Sequence, residues 1–490
     1  MSEPADPTEP PTPSGPAIGQ DEWVARHGER SSQQAGLIGT INERLHRVPW
    51  WGWLVLFAAS FALMPAVAHS TYVHRVAFDT VLYMLLALGL NVVVGWGGLL
   101  DLGFVAFYGI GAYSYAMLSS DKFGIHAPTL VVIPCVIIIG ATAGFLVGLP
   151  SRRLSGDYLA IVSLFFLEIF LTLATNGDQV FGHDFTGGAN GILNVDPLHF
   201  FGHDLVVQHE GAFALSYLYV AVAIFVVVYV ALHFVNQSRT GRAWRSQRED
   251  PLAAEAMGMP VNLIKLMAFA FGAGIAALTG TLFASLNASV FPLTFSFPLL
   301  ITVYTMVILG GQGNMAGVTV GAVLVSVTLE LLRDPGDARI LFYLFGLLAI
   351  LFFFGKTRKL ALVLSAIVAF GFAAHWIAGG IDNDWISGPS SSGLDRVLSH
   401  WLIIPTHMVN WLGPVSYISL IALILVLTLV HGWVRYVLLV PTVYLGTFVW
   451  ENVLLAQPDA TRYIVLGVML IVLMIVRPNG LFGERRVEIV

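Results

Sequence analysis

From Trp50 onward the chain is a succession of apolar runs separated by short polar stretches. The runs are close to the roughly 20 residues that an α-helix needs to cross a bilayer core. They cover Trp50–Ala68, Ala77–Val94, Phe104–Leu118, Leu130–Leu149, Tyr158–Ala174, Ala214–His233 and Leu263–Leu286. The series continues with Pro298–Leu309, Val318–Leu332, Ile340–Phe354, Leu360–Ala378, Val415–Val430, Val434–Val449 and Tyr463–Val476. The pattern predicts about fourteen spanning helices, with boundaries good to a few residues. Phe104–Leu118 and Pro298–Leu309 are short for full spans. Backbone in lipid must satisfy its hydrogen bonds internally, so the expected fold class is an all-α polytopic membrane protein.

Composition narrows the class further. Of 490 residues, 57% are hydrophobic and 11% charged, where a soluble domain carries about 25% charged residues. A soluble fold is excluded. The net charge of -6 rests on few charges, and no basic patch points to nucleic acid. Cys135 is the lone cysteine, which excludes an internal disulfide and a thiolate metal cluster. Residues 1–20 are rich in Pro, Ser and Glu and poor in large apolar side chains. The expected reading of residues 1–49 is a disordered arm on the cytoplasmic side. No basic n-region and apolar h-region open the chain, so it does not begin as a secretory signal.

Basic residues set the orientation. Arg44, His46 and Arg47 precede Trp50 and Trp51. With the amino terminus inside, inner connections carry Arg152 and Arg153, then Arg239, Arg242, Arg245 and Arg248, then Lys356, Arg358 and Lys359. His431 and Arg435 follow, and finally Arg477, Arg485 and Arg486. The outer stretch 178–211 has no Lys or Arg. Arg333 and Arg339 fall outside, offset by Glu330, Asp334 and Asp337. Both termini are expected in the cytoplasm.

Six ordered segments resemble the LivM-type permeases of branched-chain amino acid ATP-binding cassette transporters. The first runs from Gly89 to Gly95, on through Gly97, Gly98, Asp101 and Gly103, to Phe107, Tyr108, Gly109, Gly111 and Tyr113. The second is Gly156-Asp157-Tyr158 to Val162, and the third is Thr186-Gly187-Gly188 with Asn190-Gly191-Ile192. The fourth joins Arg239, Gly241, Arg242 and Arg245 to Glu249-Asp250-Pro251, Ala254, Glu255 and Gly258. The fifth is Gly310-Gly311-Gln312-Gly313, and the last is Arg477-Pro478-Asn479-Gly480-Leu481.

The resemblance covers residues 77 to about 332 plus the carboxy-terminal end. It implies a permease core of ten helices, at 50–354, with about four additional helices before the tail, over 355–462, and a final helix and cytoplasmic tail at 463–490. It further implies a bacterial inner-membrane importer for leucine, isoleucine and valine, with no catalytic residue and no cofactor of its own. ATP and Mg would be used by two ATP-binding partner subunits. A second, related permease and an external solute-binding protein complete the implied machine. In the family the tail follows the core directly; here it arrives late.

The basic loop 237–260 carries the most specific local pattern. Asp250 is placed to cap a helix beginning at Pro251, a favoured first position. Strong helix formers follow until Gly258. By resemblance this is the coupling helix that docks on the ATP-binding subunit, with Arg242, Arg245, Glu249, Asp250, Ala254, Glu255 and Gly258 as its residues. An ordinary positive-inside loop would show the same charges.

Glycines interrupt two pairs of spans. Gly95, Gly97, Gly98 and Gly103 separate one pair, and Gly310, Gly311, Gly313 and Gly317 another. Broken spans in corresponding halves point to a substrate path, since unwound backbone at membrane depth needs protein or a water-filled cavity around it. The candidate path residues are Asn91, Gly95, Gly98, Tyr108, Glu168, Gly310, Gly311 and Gly313. Close helix packing is the competing explanation for the glycines, and it is the favoured one for the ladders Gly140/Gly144/Gly148 and Gly272/Ala276/Gly280. A charge at the bilayer centre costs at least about 2.5 kcal/mol, so Glu168 should face protein or water. Asp79 lies nearer a span end. Asp101 and Asp157 read as helix-end residues near the inner interface.

Three other signals carry less. The outer loop holds His183, His199, His203 and His209; His199 and His203 have zinc-binding spacing if helical, but a solvated loop is the simpler reading and no metal is assigned. Gly355-Lys356-Thr357 mimics the end of a phosphate-binding loop, but Ile350 stands where the required glycine would be. Urea or short amides are an alternative cargo for the same machinery. An ion-coupled secondary transporter is the alternative of another class, and it leaves the arginine-rich loop unexplained. No Ser/His/Asp set or paired acids gather at one face to suggest a membrane enzyme.

Overall fold

The computed structural model describes residues 49–67, 70–151, 156–178, 183–200, 203–205, 208–209, 212–213, 215–354, 357–387, 399–405, 411–430, 432–454, 457–476 and 480–482. The amino-terminal arm, Lys356 and most of the basic tail lie outside the described residues.

Within the described residues each predicted apolar run is helical over most of its length. The first six helices are α1 (Trp50–Val67), α2 (Thr71–Leu90), α3 (Phe104–Leu118), α4 (Thr129–Ser151), α5 (Asp157–Thr175) and α6 (Leu215–Gln237). Two short helices, α7 (Arg239–Glu249) and α8 (Pro251–Ala256), precede α9 (Val261–Asn287). Then come α10 (Phe297–Gly310), α11 (Met315–Leu331), α12 (Pro335–Phe354), α13 (Thr357–Ile381), α14 (Leu412–Leu429), α15 (Trp433–Val449) and α16 (Pro458–Val476). Among the described residues nine helices are long and apolar enough to cross a membrane, or ten if the bent pair α11–α12 is one span. Three shorter apolar helices, Trp50–Ala66, Phe104–Leu118 and Ala460–Val472, accompany them.

The core is organised around α9, which packs on α2, α3 and α4. The glycine ladder of α4 makes this close approach feasible: Gly140 faces Ala277 and Gly144 faces Ala273. The hairpin of α10 and α11 lies against α2, and α1 packs with α6. Most of α2 is buried, whereas α5 leaves one side open, with Ile161, Phe165, Ile169 and Leu173 exposed.

The late tail returns to the core. Helix α16 packs on α10. Beyond it, Leu481 N donates to Leu309 O at 2.9 Å and Phe482 N to Gly310 O at 3.0 Å. Phe482 also meets Trp53 of α1 edge to face. Helices α13 to α15 share a small cluster around Leu402, Tyr444, Phe448 and Val449, and a second cluster of Leu332, Ala338 and Trp450 ties the ends of α11, α12 and α15 together. Helix α16 thus packs with the core, while α12 touches both α11 and α13. Arg339, a cation on the unexpected side, is neutralised there: its Nη2 lies 2.9 Å from Glu451 Oε2, and Tyr343 donates to the same carboxylate at 3.0 Å.

Two-residue strands stitch the connections. Ser119–Ser120 pairs with Ile125–His126, and Ile192–Leu193 with Ser289–Val290. His199 and His203 sit in a hairpin pairing His199 with Asp204, so their helical spacing is not realised. Among the described residues no group of three or more His, Cys, Asp or Glu is placed to hold a metal ion.

Candidate functional site: an elbow joint and a far-end cavity

Ser238 opens α7, its Oγ accepting from Gly241 N at 3.4 Å. One stripe of α7 is buried: Gly241, Trp244 and Gln247. Trp244 donates to Ile264 O of α9 at 2.9 Å and stacks on Trp96, with ring centroids 6.2 Å apart. Asp250 then caps α8, its Oδ1 accepting from Leu252 N at 2.9 Å and Ala253 N at 3.0 Å. The two helices make a rigid elbow.

The elbow sits on both glycine breaks at once. The last turn of α2 widens into a π-helical turn, Asn91–Trp96, a local distortion common at functional positions. Asn91 Oδ1 accepts from Gly313 N at 2.8 Å, and Trp96 Nε1 donates to Gly313 O at 2.9 Å. Arg248 reaches in from α7 and donates to Gly95 O; Gln247 donates to Gly97 O at 3.4 Å. Gly98 lies against the Arg248 side chain. Gly313 has φ of 93°, left-handed backbone that a side chain would strain. A Cβ on Gly95 would collide with Asn91 Oδ1 and come 2.7 Å from Gly313 N. Gly310 is pressed on the backbone of Gly317, while Gly311 closes α10. Asp101, fully buried, accepts from Gly103 N at 2.9 Å through Oδ1 at the start of α3. Its backbone N and O both bond to the Tyr304 hydroxyl.

A second feature lies at the other end of the same helices. A cavity of about 400 Å³ opens between α2, α10, α11 and α16. Arg75 and Asp79 of α2, Glu330 of α11, and Arg462 and Tyr463 of α16 line its polar side; Leu82, Leu86, Phe283 and Leu299 line its apolar side. Tyr108 is part of the wall.

The candidate residues of the sequence therefore separate into distinct places. Asn91, Gly95, Gly98 and Gly313 meet in the joint, with Gly310 and Gly311 beside it, and Tyr108 alone reaches the far-end cavity. Glu168 is exposed on the open side of α5, away from both. Of the coupling set, Glu249, Asp250, Glu255 and Gly258 are exposed. Ala254 is buried, because α8 turns that face onto the body of the protein. Arg242 and Arg245 project outward yet are engaged locally, donating to Gln237 O at 2.8 Å and to Asn236 Oδ1 at 3.2 Å at the end of α6. Leu252 and Met257, 78% and 81% exposed, supply the apolar tip of the elbow. Trp244, Gln247 and the two apolar tip residues were not singled out from sequence, and Arg248 was read only as an inner-loop cation. Their signal was the three-to-four-residue spacing of 241, 244, 247 and 248 inside a charged stretch.

A family model described as the permease component of the branched-chain amino acid transport system matches residues 72–354. The chain is 38% identical over 295 residues to the high-affinity branched-chain amino acid transport system permease protein LivM of Salmonella typhimurium, spanning 56% of this chain and 67% of that one. Its similarity to LivM of Escherichia coli is 38% over 293 residues, with the same coverage. LivH of Escherichia coli, another permease protein of that system, is 25% identical over 257 residues, covering 50% of this chain and 80% of LivH. No solved structure matches the chain.

Proposed function

Because this chain belongs to the branched-chain amino acid transport permease family, we propose that it is the transmembrane subunit of an ATP-binding cassette importer for leucine, isoleucine and valine. It works in the bacterial inner membrane with both termini and the elbow in the cytoplasm. Its partners are two ATP-binding subunits, which use ATP and Mg, a related permease of the LivH kind, and an external solute-binding protein.

One observation carries this reading. Helices α2, α10 and α11 line the cavity at one end and meet at the elbow joint at the other. A push on the tip at Leu252, Glu255 and Met257 passes through Asp250 into α7. From there Arg248 and Gln247 bear on the end of α2, and Asn91 and Trp96 carry the displacement into the turn joining α10 to α11. The three helices then tilt together, which is how a nucleotide-driven movement outside the membrane becomes a change of access within it.

Glu168 fits the same picture. It stands between exposed Phe165 and Ile169 on the open side of α5. A carboxylate facing lipid costs at least about 2.5 kcal/mol. The face of α5 therefore lies against the second permease, with Glu168 on the path between them.

The test is co-purification. Glu255→Arg should strip the ATP-binding subunits from the complex while the permease remains monodisperse, and uptake of labelled leucine should fall at least about tenfold, equivalent to about 1.4 kcal/mol. Uptake that survives ATP depletion, with no ATPase attached to the wild-type chain, would establish the ion-coupled alternative instead.

A further inference from the structure

The far-end cavity combines features that single out one kind of ligand. Its charged residues are two cations, Arg75 and Arg462, and two anions, Asp79 and Glu330. Three of them make short-range contacts: Arg75 Nε lies 3.1 Å from Asp79 Oδ2, Arg75 Nη2 donates to Asn287 at 2.7 Å, and Glu330 accepts from Tyr72 and lies 3.3 Å from Arg333. A free anion or cation entering this set would meet as much repulsion as attraction. A molecule bearing both charges a short distance apart adds to both pairs without unbalancing either. Next to the charged rim, Leu82, Leu86, Phe283 and Leu299 form an apolar floor. The volume of about 400 Å³ is within the range of small-molecule sites.

We propose that this cavity is a binding site for a free aliphatic α-amino acid. Its carboxylate meets Arg75 and Arg462, its ammonium meets Asp79 and Glu330, and its side chain rests on the leucines and Phe283. The assignment rests on the importer reading for its substrate class and goes further in placing that substrate within this subunit, apart from the α5 face. Helix α16 completes the site with Arg462, so the returning end of the chain takes part in recognition.

The test uses the full chain with Cys135→Ala and Ser326→Cys, reconstituted in nanodiscs of phosphatidylglycerol. Ser326 lines the cavity, and serine to cysteine changes little in volume. Disulfide formation between the new thiol and a charged methanethiosulfonate, which expels methanesulfinate, is followed by mass spectrometry. Millimolar leucine should slow it at least about threefold, a change well above the scatter of rate measurements and equivalent to less than 1 kcal/mol of site occupancy. 3-Methylbutylamine, which lacks the carboxylate, and 4-methylpentanoate, which lacks the ammonium, should not. Asp79→Asn and Arg462→Gln should each remove the protection, with Thr302→Cys as a second reporter on α10.

Equal protection by either one-charge analogue overturns the proposal. So does a rate that follows added phosphatidylethanolamine rather than leucine, which would assign the cavity to a zwitterionic lipid headgroup. ATP-driven leucine uptake with no protection at either thiol also overturns the proposal and leaves the importer reading intact. Protection together with leucine uptake that survives ATP depletion supports the site while sinking the importer reading.

Discussion

At Gly95 there is no space for even a methyl group, since a Cβ would collide with Asn91 Oδ1. Gly95→Ala must expel the Asn91 side chain and break its bond to Gly313 N. Overpacking and one unsatisfied buried donor together cost about 2 to 4 kcal/mol, so thermal unfolding of the purified chain should shift down clearly. Asn91→Ala removes the side-chain part of the clash and leaves the 2.7 Å approach to Gly313 N. The double substitution should therefore cost less than the sum of the two single ones, as coupled neighbours do; strict additivity would mean that the contact is not the cause. A different residue reports pH. His126 Nδ1 lies 2.6 Å from Asp196 Oδ2 in the stitched loop, and this hydrogen bond, then the carboxylate charge, holds the imidazole pKa above its usual 6.5. The charged form is the one the folded loop favours. Its contribution is full below about 6.5 and fades as pH rises through the elevated value. Hydrogen exchange over 192–198 should quicken across that window beyond its intrinsic pH dependence. Asp196→Asn should return the His126 titration, read by NMR, toward 6.5.

At the scale of elements, α7 decides whether the elbow is a lever or a loose loop. Trp244→Ala removes a fully buried side chain, its bond to Ile264 O and its stack on Trp96, a change of about 3 to 5 kcal/mol for a large aromatic. Leucine-stimulated ATP hydrolysis by the assembled transporter should be lost even where the ATP-binding subunits stay attached, because α8 would no longer drag α2. Retained stimulation would place the transmission elsewhere. This element also marks the limit of what the sequence discloses. The apolar helices were legible because lipid demands long apolar runs whatever they pack against. The cap at Asp250 was legible because it is local. Helix α7 was hidden, since its buried stripe is short and its composition is dominated by arginine. The joint was hidden for another reason: Arg248 meets Gly95 across 153 positions and Asn91 meets Gly313 across 222. Glycine spacing announced two breaks in the helices, but not that they face each other beneath the elbow. Ala254 follows from the same gap, because which side of a six-residue helix is turned inward depends on what lies under it.

At the scale of the whole molecule, α12 to α15 lie between α11 and α16, the first of them inside the family match over 72–354 and the other three beyond it. The cavity is the evidence for where their flanking ends lie: Leu329 and Glu330 at the end of α11 and Arg462 and Tyr463 near the start of α16 line the same space, so a short connection is able to join them. Removal leaves α10 and α16 packed on each other and the tail able to reach Leu309 and Gly310. The surfaces uncovered, such as Leu332 and Val465, are apolar and acceptable to lipid. The charges that need each other, Arg339 and Glu451, leave together, which matters because stranding one partner of a buried pair costs about 3 to 5 kcal/mol. A chain in which residues 335–456 are replaced by a flexible linker of about ten residues, long enough to span some 17 Å, should insert, elute as a single species and retain the thiol protection by leucine at Ser326→Cys. Glu451→Ala in the full chain should be worse tolerated than the entire excision, because it takes the carboxylate away from both Arg339 and Tyr343. If the excised chain aggregates while Glu451→Ala is mild, helices α12 to α15 are part of the permease core.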